Sequence, residues 1–422
     1  MKKPRHSLLI FLIITTATVL QGCGGGKDRL INDYSDTHPV NPEAEYAAVL
    51  EECVLTQTGE NLCSLNKLPL LGMEKPEPTV ADVMDRTLVS HQWMADRFEE
   101  LLAEYPLEFL TLFKGLTAVV IDDDIRPAHY RSDTGAIYID PAYLWVSVVE
   151  KQTINPKQDY RAGFDDELAF KAFNRYLTPD GEYAGNFGSL TDTYARSLND
   201  ASFFTARLLL HELAHVNDFL PYDSYDRINR NNTVIQAVNS LSTGRVSDRL
   251  TSQYRLQSTL WPQLGRVMFH GDSASDAQKE LTAEQVGEDF EADAAADDYA
   301  YSTQFEDLAM LFEIVMMKYF WDLDFEQAFV TPEGADPRYC NDFIIGWGAL
   351  SWIGDEDVKQ RAQFVTNALL PDLEMSQFYQ DLEMPRFMSP DSNWCLPSSA
   401  AVGQQKTSHP MLVPLDDYGY RH

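Results

Sequence analysis

Basic residues are scarce in this 422-residue chain: 33 Lys and Arg stand against 65 Asp and Glu, for a formal charge of −32. That imbalance argues against nucleic acid or an anionic lipid surface as the partner, because both repel an acidic protein. The same charge suits cationic peptides and also plain solubility. Cysteine is rare, five in all, and none has the spacing of a zinc knuckle. The apolar run Leu8 to Val19 is too short to span a bilayer comfortably, and no second run could span a membrane as a helix. No internal repeat or low-complexity block divides the chain.

What stands at the N-terminus is a targeting pattern. Lys2, Lys3 and Arg5 precede the apolar run, and Leu20-Gln21-Gly22-Cys23 follows it. The last four residues resemble the bacterial lipobox. That resemblance implies that residues 1–22 are a lipoprotein signal peptide and that Cys23 is acylated, so the membrane is held through lipid alone. By the same resemblance, Gly24 implies outer-membrane sorting, on either the periplasmic or the surface face. Losing residues 1–22 removes three basic and no acidic residues, so −32 becomes −35. Residues 23–45 are polar with a Gly run and read as a flexible tether. Four cysteines remain, an even number in an exported chain, which suggests two disulfides. Three pairings exist; Cys53–Cys63 with Cys340–Cys395 is the local choice.

The chemistry is concentrated in His211-Glu212-Leu213-Ala214-His215, an H-E-x-x-H run. On a helix, residues at i and i+4 share a face, so the two imidazoles can grip one Zn²⁺. Glu212 then stands beside the metal's open position, where it can act as a general base. From Asp200 to Phe219 neither Gly nor Pro interrupts the run, Asn199 or Asp200 offers an N-cap, and Pro221 ends it. Phe204, Leu208, His211 and His215 follow one stripe, so the histidines face inward. Buried imidazoles need partners, and a metal supplies them.

Around this helix the pattern is α+β. Residues 80–115 read as amphipathic helix, notably Trp93 to Phe113. Thr117 to Ile121 reads as a buried strand, and residues 129–140 as a hairpin turning at Asp133 to Gly135. A small sheet before the helix suits a protease, because an edge strand can bind an extended peptide. Residues 221–285 read as a polar, irregular insertion, and Phe343 to Leu370 as part of an α-rich C-terminal region. Asp122-Asp123-Asp124 reads as a strand-end charge cluster rather than a Ca²⁺ site, His270 as a surface histidine, and Trp347 and Trp352 as core.

A catalytic zinc site needs a third ligand, and two stretches offer one. Asp289-Phe290-Glu291-Ala292-Asp293 resembles the E-x-x-A-D helix of membrane-quality-control zinc proteases, which would make Asp289 the ligand. Tyr299, followed seven residues later by Glu306, with Ala309 and Phe312 beyond, resembles the anthrax lethal factor and Pro-Pro endopeptidase group of zincins. That resemblance implies Glu306 as the third zinc ligand and Tyr299 as a hydroxyl facing the substrate carbonyl, with Phe219 echoing an aromatic after the histidine motif. Thr303 and Glu306 also match a capping box. We favour Glu306, with Asp289 as competitor.

The sequence therefore leads us to expect a zincin-like α+β catalytic domain over residues 46–400, as one domain or two lobes, and a C-terminal tail at 401–422. The expected activity is zinc-dependent hydrolysis of a peptide or protein substrate on the bacterial cell envelope. Two other classes stay open: a catalytically silent zincin-fold scaffold and a zinc-dependent cell-wall amidase.

Overall fold

A computed structural model describes residues 32–395, apart from 57–58, 60–61, 186–189 and 191–192. The expected signal segment, the expected lipidation site Cys23 and the expected C-terminal tail lie outside the described residues. Five helices organise the site and its support: α1 (Gln92–Glu104), α2 (Leu198–Phe219), α3 (Ala283–Glu291), α4 (Gln304–Trp321) and α5 (Glu356–Leu369). Among the described residues no helix is long and apolar enough to cross a membrane.

Two small sheets make the architecture α+β. The first has the order β1-β2-β3-β5-β4, from β1 (His38–Pro39), β2 (Thr87–Val89), β3 (Ala118–Ile121), β4 (His129–Arg131) and β5 (Ala136–Ile139). Strands β2, β3 and β5 run parallel, while β1 and β4 pair antiparallel at the edges. Strands β3 and β5 are buried throughout, as parallel strands covered on both faces must be. The β4–β5 hairpin turns as the sequence leads one to expect, with Gly135 at φ 73° in the left-handed region.

Two expectations change here. Residues 32–45 are not all tether, because β1 pairs with β2 and buried Thr37 donates to Asp122 at 2.5 Å. The helix expected across 80–115 is interrupted by β2, and α1 stops ahead of Pro106, which lacks the N–H to continue it.

The second sheet was not anticipated. Its antiparallel order is β6 (Lys171–Leu177), β7 (Asp324–Pro332), β8 (Phe343–Leu350) and β9 (Arg386–Phe387). Residues 343–350 are strand rather than helix because buried Phe343, Ile345 and Trp347 alternate with less buried neighbours, a period of two. Gly346 lets this strand approach α3, where a Cβ would meet the Glu284 backbone nitrogen at 2.5 Å. The supposed irregular insertion at 221–285 is largely helical, including Val234–Leu241, Val246–Gln253 and Trp261–His270. Some of its polar residues are caps: Thr233 with Gln236, Ser275 with Gln278, and Thr282 with Gln285 form capping boxes. Disulfides join Cys53 to Cys63 and Cys340 to Cys395.

Candidate metal centre

Helix α2 is buried on every side from Phe204 to Phe219, so each polar group on it has to find a partner. It starts at Ser197, which caps it in a capping box with Asp200. Asp200 is thus the third helical residue rather than the cap. Arg207 donates to Glu313 at 2.6 Å, and the Asn217 amide donates to the carbonyls of Leu112 and Leu213. Asp218 accepts from the Ser247 backbone and hydroxyl at 2.9 and 2.6 Å.

The two histidines turn to α4, which runs antiparallel alongside. His211 Nε2 lies 3.0 Å from Glu306 Oε2 and 3.3 Å from His215 Nε2, and His215 Nε2 lies 3.3 Å from the same glutamate oxygen. All three side chains are buried. A tetrahedral ion with arms of roughly 2.0–2.1 Å holds its donors roughly 3.3–3.4 Å apart, so the triangle fits zinc closely. The electrostatics agree. Burial alone would lower the His211 pKa, but the carboxylates of Glu306 and Glu313 override it and push it up to about 10. Burial likewise works against an ionised Glu306, yet the two imidazoles hold its carboxyl well below the usual range. The pocket favours a positive charge where the three donors meet.

Glu212 lies next to that point and is also buried. Its carboxylate accepts the backbone N–H of Tyr130 on edge strand β4, while Oε2 has no hydrogen-bond partner among the described residues. Burial raises its pKa, with the nearby histidines opposing. Tyr299 sits in a short turn anchored by Asp297, which accepts from the Ala300 N–H at 3.1 Å. The Tyr299 ring is buried, with its centroid 6.1 Å from that of His211 and 4.9 Å from that of Phe269. Phe219 packs on Phe305 at 5.0 Å and on Tyr130 at 5.9 Å, tying α2 to α4 and β4.

The structure thus brings His211, Glu212, His215, Glu306 and Tyr299 together and leaves Asp289 out. Asp289 lies on α3, where it accepts the Ser258 hydroxyl, and Glu291 of the same helix accepts the Trp347 indole N–H at 2.8 Å. The capping box expected at Thr303 is half formed: Thr303 accepts from the N–H of Glu306, but the Glu306 carboxylate goes to the histidines. His270 contacts Ser302 outside the centre, and Trp347 and Trp352 are core residues. A second acid–histidine group, Asp36, His91 and Asp123, lies past the ends of β2 and β3 with Asp36 open to solvent.

Sequence reasoning missed Glu313, Arg207, Tyr176 and the Tyr130 N–H. A signal existed for the first two: each is a lone charge in an apolar helical run, and a buried charge requires a partner. The chain matches no protein-family model, no curated protein and no solved structure.

Proposed function

We propose that this protein is a zinc metallopeptidase in which His211, His215 and Glu306 hold the metal and Glu212 moves the proton. The observation that carries this reading is Glu212 Oε2, which has no hydrogen-bond partner among the described residues and stands on the buried helix that brings two of three converging donors together. Zinc held there would supply a Lewis acid for a substrate carbonyl and acidify a water in its open position from about 15.7 towards roughly 7.

The chain's own groups do the rest. The Tyr130 N–H fixes one side of the Glu212 carboxylate and leaves Oε2 to take a proton from water and pass it to the leaving amine. Tyr299, whose ring centroid lies 6.1 Å from that of His211, is the proposed donor to the substrate oxygen as negative charge develops. Strand β4 pairs with β5 on one side only among the described strands, and an edge strand at a site can take an extended peptide beside it. A zincin-like fold belongs to the same reading, supported by the mixed sheet whose antiparallel edge strand touches the histidine helix. The lipobox resemblance supports a position on the bacterial envelope, with Cys23 as the proposed lipid anchor.

The test is Glu212→Gln, with zinc content and peptide hydrolysis measured together. Zinc should stay while hydrolysis falls by roughly 10²–10⁴-fold. Undiminished hydrolysis would remove Glu212 as the base. A wild-type protein that holds zinc yet cleaves no peptide would point to the scaffold reading, or to the amidase reading if it opened cell-wall amides.

A further inference from the structure

His211 has two ring edges, and the metal reading uses only one. Nε2 faces Glu306 and His215; Nδ1 faces Oε2 of Glu313 at 3.3 Å. Glu313 lies two turns beyond Glu306 on α4, so both carboxylates share one helix face. Ala309 and Met310, the residues between them on that face, have no group to offer an imidazole.

Glu313 is itself held firmly. Its other oxygen, Oε1, accepts from Arg207 Nε at 2.6 Å and from the Tyr176 hydroxyl at 2.9 Å. Arg207 precedes His211 by one turn on α2, and Tyr176 lies on β6 of the second sheet. Glu313 is fully buried, and an isolated carboxylate there would be costly; the guanidinium and phenol offset that cost.

We infer that Glu313 is the positioning residue for His211: it draws the proton to Nδ1, aims the Nε2 lone pair at the metal, and is itself fixed by Arg207 and Tyr176. The inference rests on the zinc reading above. A neutral imidazole carries one proton, and placing it on Nδ1 leaves Nε2 as a donor to metal. The second sheet thereby supports the metal centre through Tyr176, although no residue of that sheet is among the three proposed ligands.

The experiment is zinc affinity of the folded protein by competition with a chromophoric chelator, in wild type, Glu313→Gln, Glu313→Ala and Tyr176→Phe. Loss of an outer carboxylate partner should weaken zinc binding by roughly 10–100-fold. Glu313→Ala should be weakest and Tyr176→Phe least affected. Met317→Ala, a buried site one turn beyond Glu313, is the control for lost stability; it should keep wild-type zinc affinity. The cobalt-substituted protein gives a second readout, because a misaimed His211 changes the visible ligand-field spectrum. Variants at Glu313 that bind zinc as tightly as wild type, or no more weakly than Met317→Ala, would overturn the inference while leaving the zinc reading intact. Wild-type protein that takes up no zinc would remove both.

Discussion

Glu306 and Glu313 bracket one imidazole. Glu306 lies 3.0 Å from the Nε2 edge of His211 and Glu313 lies 3.3 Å from its Nδ1 edge. On the proposed zinc reading, one helix supplies both a donor for the metal and a carboxylate that sets the orientation of a neighbouring donor. Because α2 and α4 are antiparallel and buried against each other, the relationship is fixed by helix register rather than by a loop. A site built this way is held by packed secondary structure.

The proposed third ligand is open to a direct test. Glu306→Ala should lose its zinc on dialysis, as should His211→Ala and His215→Ala. Asp289→Ala should retain a full equivalent, because Asp289 engages Ser258 instead. Metal analysis after dialysis decides the point, and zinc lost only from the Asp289 variant would reverse the assignment.

Stability of the first sheet should depend on a buried ion pair. Arg126 grips Asp140 through Nε at 2.6 Å and Nη2 at 2.9 Å, and its remaining nitrogen donates to the carbonyls of Asn155 and Lys157. Replacing Asp140 with Ala strands a buried guanidinium, which should cost about 3–5 kcal/mol. Urea denaturation measures the loss; a cost below about 1 kcal/mol would mean that the pair is solvated.

A pH effect should come from Asp122. It is fully buried at the end of β3, and burial pushes its carboxyl up to about 6, against the hydrogen bonds from Thr37 and the Asp124 N–H. An unfolded Asp titrates near about 3.9. The folded state therefore binds this proton more tightly, so the group adds stability as pH falls from about 7 to about 4 and loses it as pH rises through about 6. The swing is at most about 3 kcal/mol. Asp122→Asn should remove it, so the difference between variant and wild-type stability should change across this window. Parallel stability curves would contradict the account.

Of the two disulfides, the long-range one should matter more. Cys340 and Cys395 are separated by 55 residues, Cys53 and Cys63 by 10. Loop-closure entropy gives the longer link an advantage of about 1.5 kcal/mol. Comparing the Cys340→Ser/Cys395→Ser and Cys53→Ser/Cys63→Ser double variants by chemical denaturation tests the order.

The legible part of this protein was local. The histidine helix could be read from spacing and its Pro stop, β3 from its β-branched run, and the β4–β5 hairpin from its turn residues. The second sheet was hidden because its pattern depends on distant partners. Glu326 on β7 looks like a solvent residue in sequence, yet it is buried as the partner of Arg175, 151 positions away. Glycines in β8 lowered its apparent strand character, although Gly346 is needed for contact with α3. Glu313 was missed for a related reason. Its proposed role follows from how two helices align, and no local motif encodes that register.

The central claim is that the three-donor centre performs metal-dependent peptide hydrolysis. The most direct measurement is cleavage of a diverse peptide library by the purified protein, first as zinc-loaded, then after chelator treatment, then with zinc restored. The account predicts cleavage that disappears with the metal and returns with it. A zinc-loaded protein that cleaves nothing, or cleavage that survives complete metal removal, would contradict it.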